Sequence, residues 1–592
     1  MDRSNKDIKS SSKKYIYNLP VSNTIERVYK KFSVTEKMIF LLLLSIAIAS
    51  VMGLLWKINS NFLVTIPYHG GSIKEGVVGA PGPINPVLAT SRSDKELTSL
   101  VYSGLLKPTS DGGYSNDLAK SFEVSPTQTE YTFEIREDAV FHDKEKVKAS
   151  DVIFTIEYLK QPELRSPLRA RWENVEVEVL SRTKVKITLP EPRPDSLELF
   201  TLGILPKHIW DKIEVNQAHI NYNNVEPIGS GPFKIESFKQ NKSRRAEHQY
   251  RYKLTAFKEY VHGQPYIDHI EFLFFQDEES AVNALLSGQI ETLASPPYQK
   301  VNQIISEGHS FKSAVLPRTF AVFFNQNQND SLNQSGVREA LNIAIDREEL
   351  IEDVFYSYAL AISSPLPSTV EKSIFGIKKD ETSFESEDRL GLARRILEDQ
   401  DWEYSEETKT FSNSELEIET LTITLLVSQA PELRRAAQFV VEKWQELGVE
   451  VNLESLPTDQ LNQNHIRPRE FEAVLHGYAL GRNFDLYPFW HSTQRSDPGV
   501  NISLYTNTLV DNSLEALKRD LDQETKTVEY ETLKEEITND LPAVFLYSPK
   551  FIYIHPEDLF GVNLDLVFRP EDRFLNVHRW YKETETVWKI FK

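Results

Sequence analysis

Histidines and carboxylates are the residue types in this sequence that could perform acid–base or metal chemistry, and their spacing supports neither. His142, His476 and His491 lie far apart without the spacing of metal ligands, and lone histidines are more often packed or hydrogen-bonded. The 87 Asp and Glu residues make chance pairs unavoidable, so no catalytic dyad follows from their positions. The motifs HExxH and G-x-S-x-G and the phosphate-binding P-loop are absent from the sequence. We therefore predict a protein that is not an enzyme and that needs no cofactor and no metal.

One loop-rich stretch, residues 478–490, carries side chains that could bind a ligand rather than react with it. It offers aromatic area and one carboxylate, in the side chains of Tyr478, Asp485, Tyr487, Phe489 and Trp490. Ligand sites are concave and largely apolar with a few polar anchors, and a charge-assisted hydrogen bond is strong when it is buried. The alternative is that the aromatic side chains simply pack in a core. Both interpretations remain open for each residue at this point.

Length and composition indicate a large globular protein with an acidic surface. A chain of 592 residues exceeds what one core usually organises, so two or more lobes are expected. The net charge of −20 makes the chain a poor partner for nucleic acid, whose phosphates attract clustered Lys and Arg. The chain has no cysteine, which excludes disulfides, thiolate nucleophiles and cysteine zinc sites.

The N-terminal region predicts a membrane anchor. Residues 1–37 form a polar, basic tail with nine Lys or Arg and four acids, and Met38–Trp56 then runs without a charge. That length is close to the roughly 20 residues that cross a bilayer as a helix, and the preceding positive charge favours a cytoplasmic N-terminus. Ala47-Ile48-Ala49 resembles a signal-peptide cleavage site, which is the alternative. We favour an uncleaved signal anchor followed by a short linker over residues 57–74.

Two stretches predict the elements of the extracellular part most clearly. In Tyr131–Leu159, apolar residues alternate as in a strand, a turn follows, and Ser150 is placed to cap a helix with Asp151 in its first turn. In Leu421–Leu453, a strand, an amphipathic helix ended by Gly448 and a second strand follow one another. A strand–helix–strand order implies a right-handed crossover between parallel strands.

Several segments resemble the family 5 extracellular solute-binding proteins, the peptide and nickel receptors of ABC importers. The clearest matches are YTFEIREDAVFHDKEKVKASDVIFTIEYL from Tyr131, PIGSGPF from Pro227 and VREALNIAIDREELI from Val337. The opening segment 75–106 and the strand–helix–strand unit agree with the same pattern. Lys144 stands where the family usually has a turn glycine. The absence of cysteine also means that this chain lacks the cysteine by which many such receptors carry a lipid anchor.

The resemblance implies an α/β fold of the two-lobed periplasmic-binding-protein type, in its large class II form with an extra subdomain, behind one transmembrane helix. The implied boundaries are 75–318 for the first lobe, with an inserted subdomain at about 108–226, 319–544 for the second lobe, and 545–592 for the return to the first. The chain would cross between lobes at Thr319–Asn325 and Pro542–Tyr547.

The resemblance also implies that residues 478–490 face a cleft between the lobes. Asn325, at the end of the first crossing strand, completes the set of candidate ligand contacts. In peptide-binding members an aspartate pairs with the α-amino group of the ligand, and Gly481 stands at that position here. Asp485 could replace it, or could match a structural Asp-Pro step of the family. This departure bears on peptide specificity.

The function implied is that of an extracellular, membrane-anchored receptor that captures oligopeptides by closure of two lobes and delivers them to an ABC permease. Its expected partners are the peptide, the permease and the membrane, through Met38–Trp56, and it is expected to be monomeric without nucleic acid. The first alternative is the same fold with another cargo, an oligosaccharide or a nickel chelate. The second is a sensory or binding module that does not transport.

Overall fold

The computed structural model describes residue 28 and residues 30–241, 248–377, 388–519 and 522–589, which form two units. The smaller unit contains the described residues up to Pro67 and those from Thr584 onward. It begins with helix α1 (Val34–Phe62), in which Ser33 and Glu36 cap each other's backbone N–H groups. The helix is long and apolar enough to cross a membrane, and none of its residues is buried. Strand β1 (Leu63–Pro67) then pairs antiparallel with β22 (Thr584–Trp588).

Most of the expected linker over residues 57–74 has regular secondary structure. The helix continues through Lys57 to Phe62, β1 follows directly, and the next strand begins at Ser72, so only four residues between the strands lack regular structure. Lys57–Phe62 contains no Pro or Gly that would end the helix at the edge of the apolar run. The partner of β1 lies more than 500 residues away in sequence, so no local pattern could indicate it.

The larger unit spans Tyr68–Glu583. Its first part contains, in chain order, β2 (Ser72–Val78), α2 (Arg92–Val101), β3 (Leu106–Pro108), β4 (Tyr114–Asn116), β5 (Ala119–Val124), β6 (Glu130–Ile135), α3 (Ala149–Lys160), α4 (Arg169–Trp172), β7 (Glu176–Val179), β8 (Lys184–Thr188), α5 (Ser196–Leu199), α6 (Lys207–Trp210), β9 (Phe233–Gln240), β10 (Tyr250–Ala256), β11 (His269–Phe275), α7 (Glu278–Leu286), β12 (Thr292–Ala294), α8 (Tyr298–Ser306) and β13 (Ser310–Val315).

The second part begins after Pro317. It contains β14 (Arg318–Phe324), α9 (Asp330–Asn333), α10 (Ser335–Ala344), α11 (Arg347–Phe355), β15 (Ala359–Ala361), α12 (Ser368–Phe375), α13 (Arg389–Glu398), β16 (Glu403–Ser405), β17 (Thr410–Ser412), β18 (Thr422–Ser428), α14 (Pro431–Leu447), β19 (Glu450–Leu456), α15 (Thr458–Gln460), β20 (Ala473–Ala479), α16 (Tyr487–Trp490), α17 (Thr508–Leu517), α18 (Gln523–Asp540) and β21 (Ala543–His555). Two short 3-10 helices, Pro570–Phe574 and Val577–Arg579, follow β21.

The buried side chains fall into two sets, which define two lobes. One set comes from residues 73–316 and 551–580, and the other comes from residues 321–547. We refer to residues 68–317 and 548–583 as lobe I and to residues 318–547 as lobe II. A 12-stranded sheet runs through both, in the order β19-β18-β20-β14-β21-β12-β2-β11-β10-β9, with β13 and β15 also paired to β21. The fold is therefore two-lobed and of the α/β class.

Strand β21 joins the two lobes. Its first residues pair with β14 up to Tyr547, and its last residues, Lys550 to His555, pair with β13. Between β13 and β14 the chain passes through Leu316 and Pro317 only. The two lobes are thus connected where one continuous strand and one short turn lie side by side.

The subdomain of lobe I carries a four-stranded antiparallel sheet in the order β5-β6-β8-β7. In β6 the predicted alternation is confirmed, because Tyr131, Phe133 and Ile135 are buried. The predicted N-cap at Ser150 is wrong, since α3 begins at Ala149 with Lys148 as its N-cap residue. The carboxylate of Asp151 accepts hydrogen bonds from the backbone N–H groups of Lys148 (2.8 Å) and Lys207 (3.0 Å). The carboxylate of Asp151, rather than the hydroxyl of Ser150, therefore accepts the backbone hydrogen bond at the start of the helix.

The strand–helix–strand unit of lobe II is confirmed. Strands β18 and β19 pair in parallel, and α14 connects them and buries its apolar stripe. Gly448 ends the helix with a φ of 118°, a conformation that favours glycine. The indole of Trp444 donates a hydrogen bond to the carbonyl of Leu341 (3.0 Å), which ties the unit to α10.

Candidate functional site

A cavity of about 280 Å³ lies in lobe I where lobe II touches it. Its walls come from α2, β3, α4, α5 and the two C-terminal 3-10 helices, and lobe II contributes Arg482. The aromatic and apolar lining includes Tyr102, Leu168, Trp172, Leu199, Tyr260 and Phe574. A concave site of mixed apolar and polar lining is typical of small-ligand sites.

Most charged groups in the cavity wall are neutralised by another protein group. The ion pairs are Arg171–Asp195 at 2.6 Å and Glu198–Arg569 at 2.5 Å, and the carboxylate of Asp117 forms a hydrogen bond with His262 at 3.0 Å. Each pair joins segments that are distant in sequence, so these contacts also shape the wall. Groups already paired in this way have little capacity left for a charged ligand.

Besides the exposed Lys95 and the buried hydroxyl of Thr98, three further polar groups of the wall have no such partner in the described chain. Lys107 and Glu571 line the cavity, and within the described part of the chain neither side chain forms an ion pair, although the carboxylate of Glu571 accepts a hydrogen bond from its own backbone N–H. The hydroxyl of Tyr102 is buried in the same wall and has no hydrogen-bond partner among the described residues. Buried polar groups are normally hydrogen-bonded, so this concentration of unpaired groups marks the cavity as a site for a polar ligand.

Burial dominates the electrostatics of the cavity. Burial lowers the pKa of Lys107, although the carboxylate of Asp117 acts in the opposite direction. Burial raises the pKa of Glu571. Burial, together with the charge of Lys107, lowers the pKa of His578 to about 3, so this histidine is neutral. Desolvation disfavours each charged form, and a ligand of opposite charge would reverse that effect.

Arg482 connects the two lobes at this cavity. Its guanidinium forms an ion pair with Asp572 of lobe I at 2.6 Å, and both side chains are less than a tenth exposed. Its Nη1 donates a hydrogen bond to the carbonyl of Thr109 (3.0 Å), and its guanidinium carbon lies 4.5 Å from the ring centre of Phe568. These three contacts to lobe I come from one side chain of lobe II.

Comparison with known proteins identifies the family of this chain. Residues 113–500 match the family model described as bacterial extracellular solute-binding proteins, family 5 Middle. The chain belongs to this family. It is also 26% identical to the oligopeptide-binding protein AppA of Bacillus subtilis (strain 168), over 87% of this chain and 92% of that protein. The curated relatives are solute-binding proteins rather than enzymes.

Solved structures show the same fold. The AppA protein of Bacillus subtilis in complex with a nonapeptide matches with a TM-score of 0.62 and 24% identity, covering 87% of this chain and 99% of that one. NikZ of Campylobacter jejuni in complex with Ni(L-His) matches with a TM-score of 0.63 and 23% identity, covering 86% and 99%. The family fold is thus common to proteins solved with very different ligands.

In this solute-binding protein all six predicted site residues lie in lobe II, and Tyr478, Phe489 and Trp490 belong to or pack against one of its cores. Tyr478 and Trp490 are buried in a core of lobe II, and Phe489 packs against that core. The hydroxyl of Tyr478 donates a hydrogen bond to the carbonyl of Pro365 (2.6 Å), and its ring lies 4.4 Å from that of Phe489. None of the three is among the residues that line the cavity. Their contact with a ligand stays a prediction.

The other three predicted residues also have local partners. Asp485 accepts a hydrogen bond from the N–H of Tyr487 (2.9 Å), and burial raises the pKa of this carboxyl. The ring of Tyr487 stacks on His491 and lies 2.9 Å from the ammonium of Lys518. Asn325 is buried and donates a hydrogen bond to the carbonyl of Arg469 (2.8 Å). These three residues do not line the cavity either, and their role in binding also stays a prediction.

The residues that line the cavity are not among those predicted from the sequence. The segment 478–490 reaches it through Arg482, which directly follows Gly481, the position where the resemblance implies an aspartate. A basic residue next to the position of the expected aspartate was the feature of the sequence that could have indicated this site. No local sequence pattern marks Lys107 or Glu571 as a cavity residue, because each lies in a short element whose neighbours in space are distant in sequence.

Proposed function

We propose that this chain is a membrane-anchored receptor that captures oligopeptides outside the cell and delivers them to the permease of an ABC importer. The observation that carries the proposal is the cavity, with its aromatic walls and its unpaired charges of both signs at Lys107 and Glu571. A peptide offers apolar side chains and opposite charges at its two ends. The similarity to the oligopeptide-binding protein AppA supports the same ligand class.

The anchor in this proposal is α1. Its apolar run extends over the length needed to span a bilayer, and the positive charge of the preceding residues favours a cytoplasmic N-terminus. Lobes I and II would then lie outside the cell. The chain has no cysteine through which a lipid could be attached, so the helix is the available means of attachment.

Closure of the two lobes over the ligand is the proposed mechanism of capture. Ligand contacts to both lobes would favour the closed form, since only a difference in affinity between two conformations shifts their populations. The position of Arg482 supports this mechanism, because it joins the lobes beside the cavity. The permease would recognise the closed receptor.

A nickel chelate is the second candidate cargo, because NikZ, solved with Ni(L-His), has the same fold. Among the described residues, no group of three or more His, Cys, Asp and Glu side chains is arranged to hold a metal ion. A chelated metal brings ligands of its own, however, so an experiment must distinguish a nickel chelate from a peptide.

The test is native mass spectrometry of the full chain, purified in lipid nanodiscs and followed by denaturing release of whatever it carries. Release of short peptides is the expected result. Release of oligosaccharide or metal-chelate masses would overturn the peptide assignment, and a chain that binds none of these when they are added would favour a module that does not transport. The intact mass reports on the anchor, because an uncleaved chain has a mass of 68.1 kDa. Empty nanodiscs serve as the control.

A further inference from the structure

The two unpaired charges of the cavity have opposite signs and lie in separate parts of its wall. The charges that act on Lys107 are those of Asp117, Arg579 and Arg136. Those that act on Glu571 come from neighbours in and around the 3-10 helix Pro570–Phe574 and from Glu96. Lys107 lies in β3 and Glu571 in this 3-10 helix, and the two side chains form no ion pair with each other among the described residues, so neither charge neutralises the other. A ligand that satisfies both must itself carry two opposite charges.

The surroundings of Lys107 suit an anion. Lys107 lies in the short strand β3, with its ammonium group in the cavity wall. The nearby carboxylate of Asp117 is already hydrogen-bonded to His262 at 3.0 Å, while Arg136 and Arg579 add positive charge. Burial and these two arginines lower the pKa of Lys107, so the ammonium is destabilised in the empty cavity. A carboxylate from a ligand would restore its stability.

The surroundings of Glu571 suit a cation. The neighbouring Asp572 is fully used, because its carboxylate pairs with Arg482 and accepts hydrogen bonds from the backbone N–H groups of Phe568 and Arg569. The side chain of Arg569 pairs with Glu198 rather than with Glu571. Glu571 is therefore the carboxylate of this wall whose charge has no protein partner within the described residues. Burial raises its pKa, which an incoming ammonium would lower.

Tyr102 supplies an independent sign that a ligand belongs here. Its side chain is only 5% exposed, its hydroxyl is without a hydrogen-bond partner in the described chain, and it lines the cavity. A buried hydroxyl without a hydrogen-bond partner is destabilising, so a partner is expected. A peptide backbone or carboxylate can accept its proton.

We propose that the cavity recognises both free ends of a short peptide, with Glu571 binding its α-ammonium group, Lys107 binding its α-carboxylate and Tyr102 donating a hydrogen bond to it. This inference rests on the proposed peptide-binding function and adds the residues that bind the two ends of the peptide. The volume of about 280 Å³ is at the lower end of ligand sites, which favours short peptides. A peptide with a blocked end leaves one buried charge without a partner, and sites of this kind reject such analogues strongly.

The experiment uses the full chain in nanodiscs and randomised tripeptide libraries in three forms: free, N-acetylated and C-amidated. Affinity is measured by mass spectrometry of the bound fraction. The expected result for the unmodified protein is at least a tenfold loss of binding on blocking either end. In Glu571→Gln the acetylated and free libraries should bind equally, and in Lys107→Met the amidated and free libraries should bind equally. The matched controls are Lys258→Met and Glu557→Gln, two exposed residues that do not line the cavity.

The outcomes separate this inference from the function on which it rests. Equal binding of free and blocked libraries by the unmodified protein would contradict the recognition of free peptide ends. It would leave the proposed capture of peptides unaffected. Failure of every library to bind overturns peptide capture, and the assignment of Glu571 and Lys107 with it. The measured quantity is the ratio between the binding of free and blocked libraries by the same variant. A general loss of folding would lower the binding of every library and would not produce the expected loss of preference at one end only. Retention of the full preference in both variants would also overturn the proposal.

Discussion

His142 connects two segments that are distant in sequence and that carry two of the family signatures. Its Nδ1 accepts a hydrogen bond from the N–H of Gly229 (3.3 Å), and its Nε2 donates one to the carbonyl of Gly231 (3.1 Å). This pair of bonds requires the neutral ring with its proton on Nε2. The interpretation of His142 as a structural residue is therefore confirmed, and its role is to hold the loop Pro227–Phe233 against the turn after β6.

We predict that His142 makes stability depend on pH. Burial lowers its pKa to about 4, whereas the unfolded chain binds the same proton near pH 6.5. Between those values the unfolded state holds more protons, so the unfolding free energy falls as the pH falls. His142→Gln should remove this contribution, narrowing the difference in unfolding free energy between pH 7 and pH 5 by about 2 kcal/mol. Urea denaturation at both pH values measures it. An unchanged difference would show that His142 titrates normally in the folded protein.

Lys144 occupies a backbone conformation that suits glycine better. Its φ is 73°, in the left-handed region, at the position where the family usually has a glycine. The left-handed conformation costs a residue with a Cβ roughly 1–2 kcal/mol, while glycine costs roughly 0.5–1 kcal/mol in unfolded-state entropy. Lys144→Gly should therefore raise the unfolding free energy by up to about 1 kcal/mol.

The control for this change is Lys146→Gly, two residues further on and also exposed. Lys146 is not among the residues with positive φ, so glycine there should lower stability. Both variants are compared by thermal and urea unfolding. Equal effects of the two substitutions would contradict the explanation based on backbone conformation.

At the level of elements, Arg573 fixes the 3-10 helix that carries Glu571 and Asp572. Its Nη2 lies 2.8 Å from carboxylate oxygens of both Glu75 in β2 and Glu96 in α2, and all three side chains are at most 1% exposed. Burial alone would raise the pKa of Glu96, but Arg573 and Arg92 hold it below its usual value. The buried cation thus connects a strand, a helix and the cavity wall.

We predict that Arg573→Met destabilises lobe I by about 3–5 kcal/mol, because it leaves the buried carboxylate of Glu75 without a cation and Glu96 with Arg92 alone. Adding Glu75→Gln should recover part of this loss, since it removes the uncompensated charge of Glu75. Arg579→Met, at an exposed position of the neighbouring 3-10 helix, is the matched control and should change stability by less than about 1 kcal/mol. Equal losses for Arg573→Met with and without Glu75→Gln would contradict the electrostatic explanation.

Sequence patterns identified the elements whose signal is local. Strand β6 and the unit β18–α14–β19 follow from alternation and helical spacing. The pairing of β1 with β22 depends on two segments at opposite ends of the chain. The aromatic residues around Trp490 pack in a core of lobe II, and sequence alone does not separate core aromatics from ligand-binding ones, so their role in binding stays a prediction.

At the scale of the whole molecule, the cavity depends on contacts that no single lobe supplies. Lobe II reaches lobe I through Arg482, and the ring of Phe484 contacts that of Phe568 with their centres 5.3 Å apart. Beside this contact, the two lobes share β21 as a continuous strand. Under the proposed mechanism of closure, a rotation about this connection would separate Arg482 from Asp572 and would expose both charges to water.

The last prediction therefore concerns the balance between open and closed forms. Arg482→Met keeps much of the side-chain volume but removes the charge that neutralises Asp572 in the closed form. Leaving a buried charge unpaired costs about 3–5 kcal/mol, so the variant should populate the open form and release bound tripeptides at least tenfold faster. Because the chain has no cysteine, Glu191→Cys in lobe I and Glu415→Cys in lobe II provide two unique sites for spin labels.

Distances between those labels report the population of each form without relying on ligand binding. In the protein with Arg482 intact, the distance distribution without ligand should already contain the closed form, since the ion pair does not need a ligand to form. Arg482→Met should shift the distribution to the open form, whereas Arg495→Met, an exposed arginine of the same lobe, should leave it unchanged. If Arg482→Met leaves both the distances and the release rate unchanged, the ion pair does not hold the lobes together, and closure depends on the ligand alone.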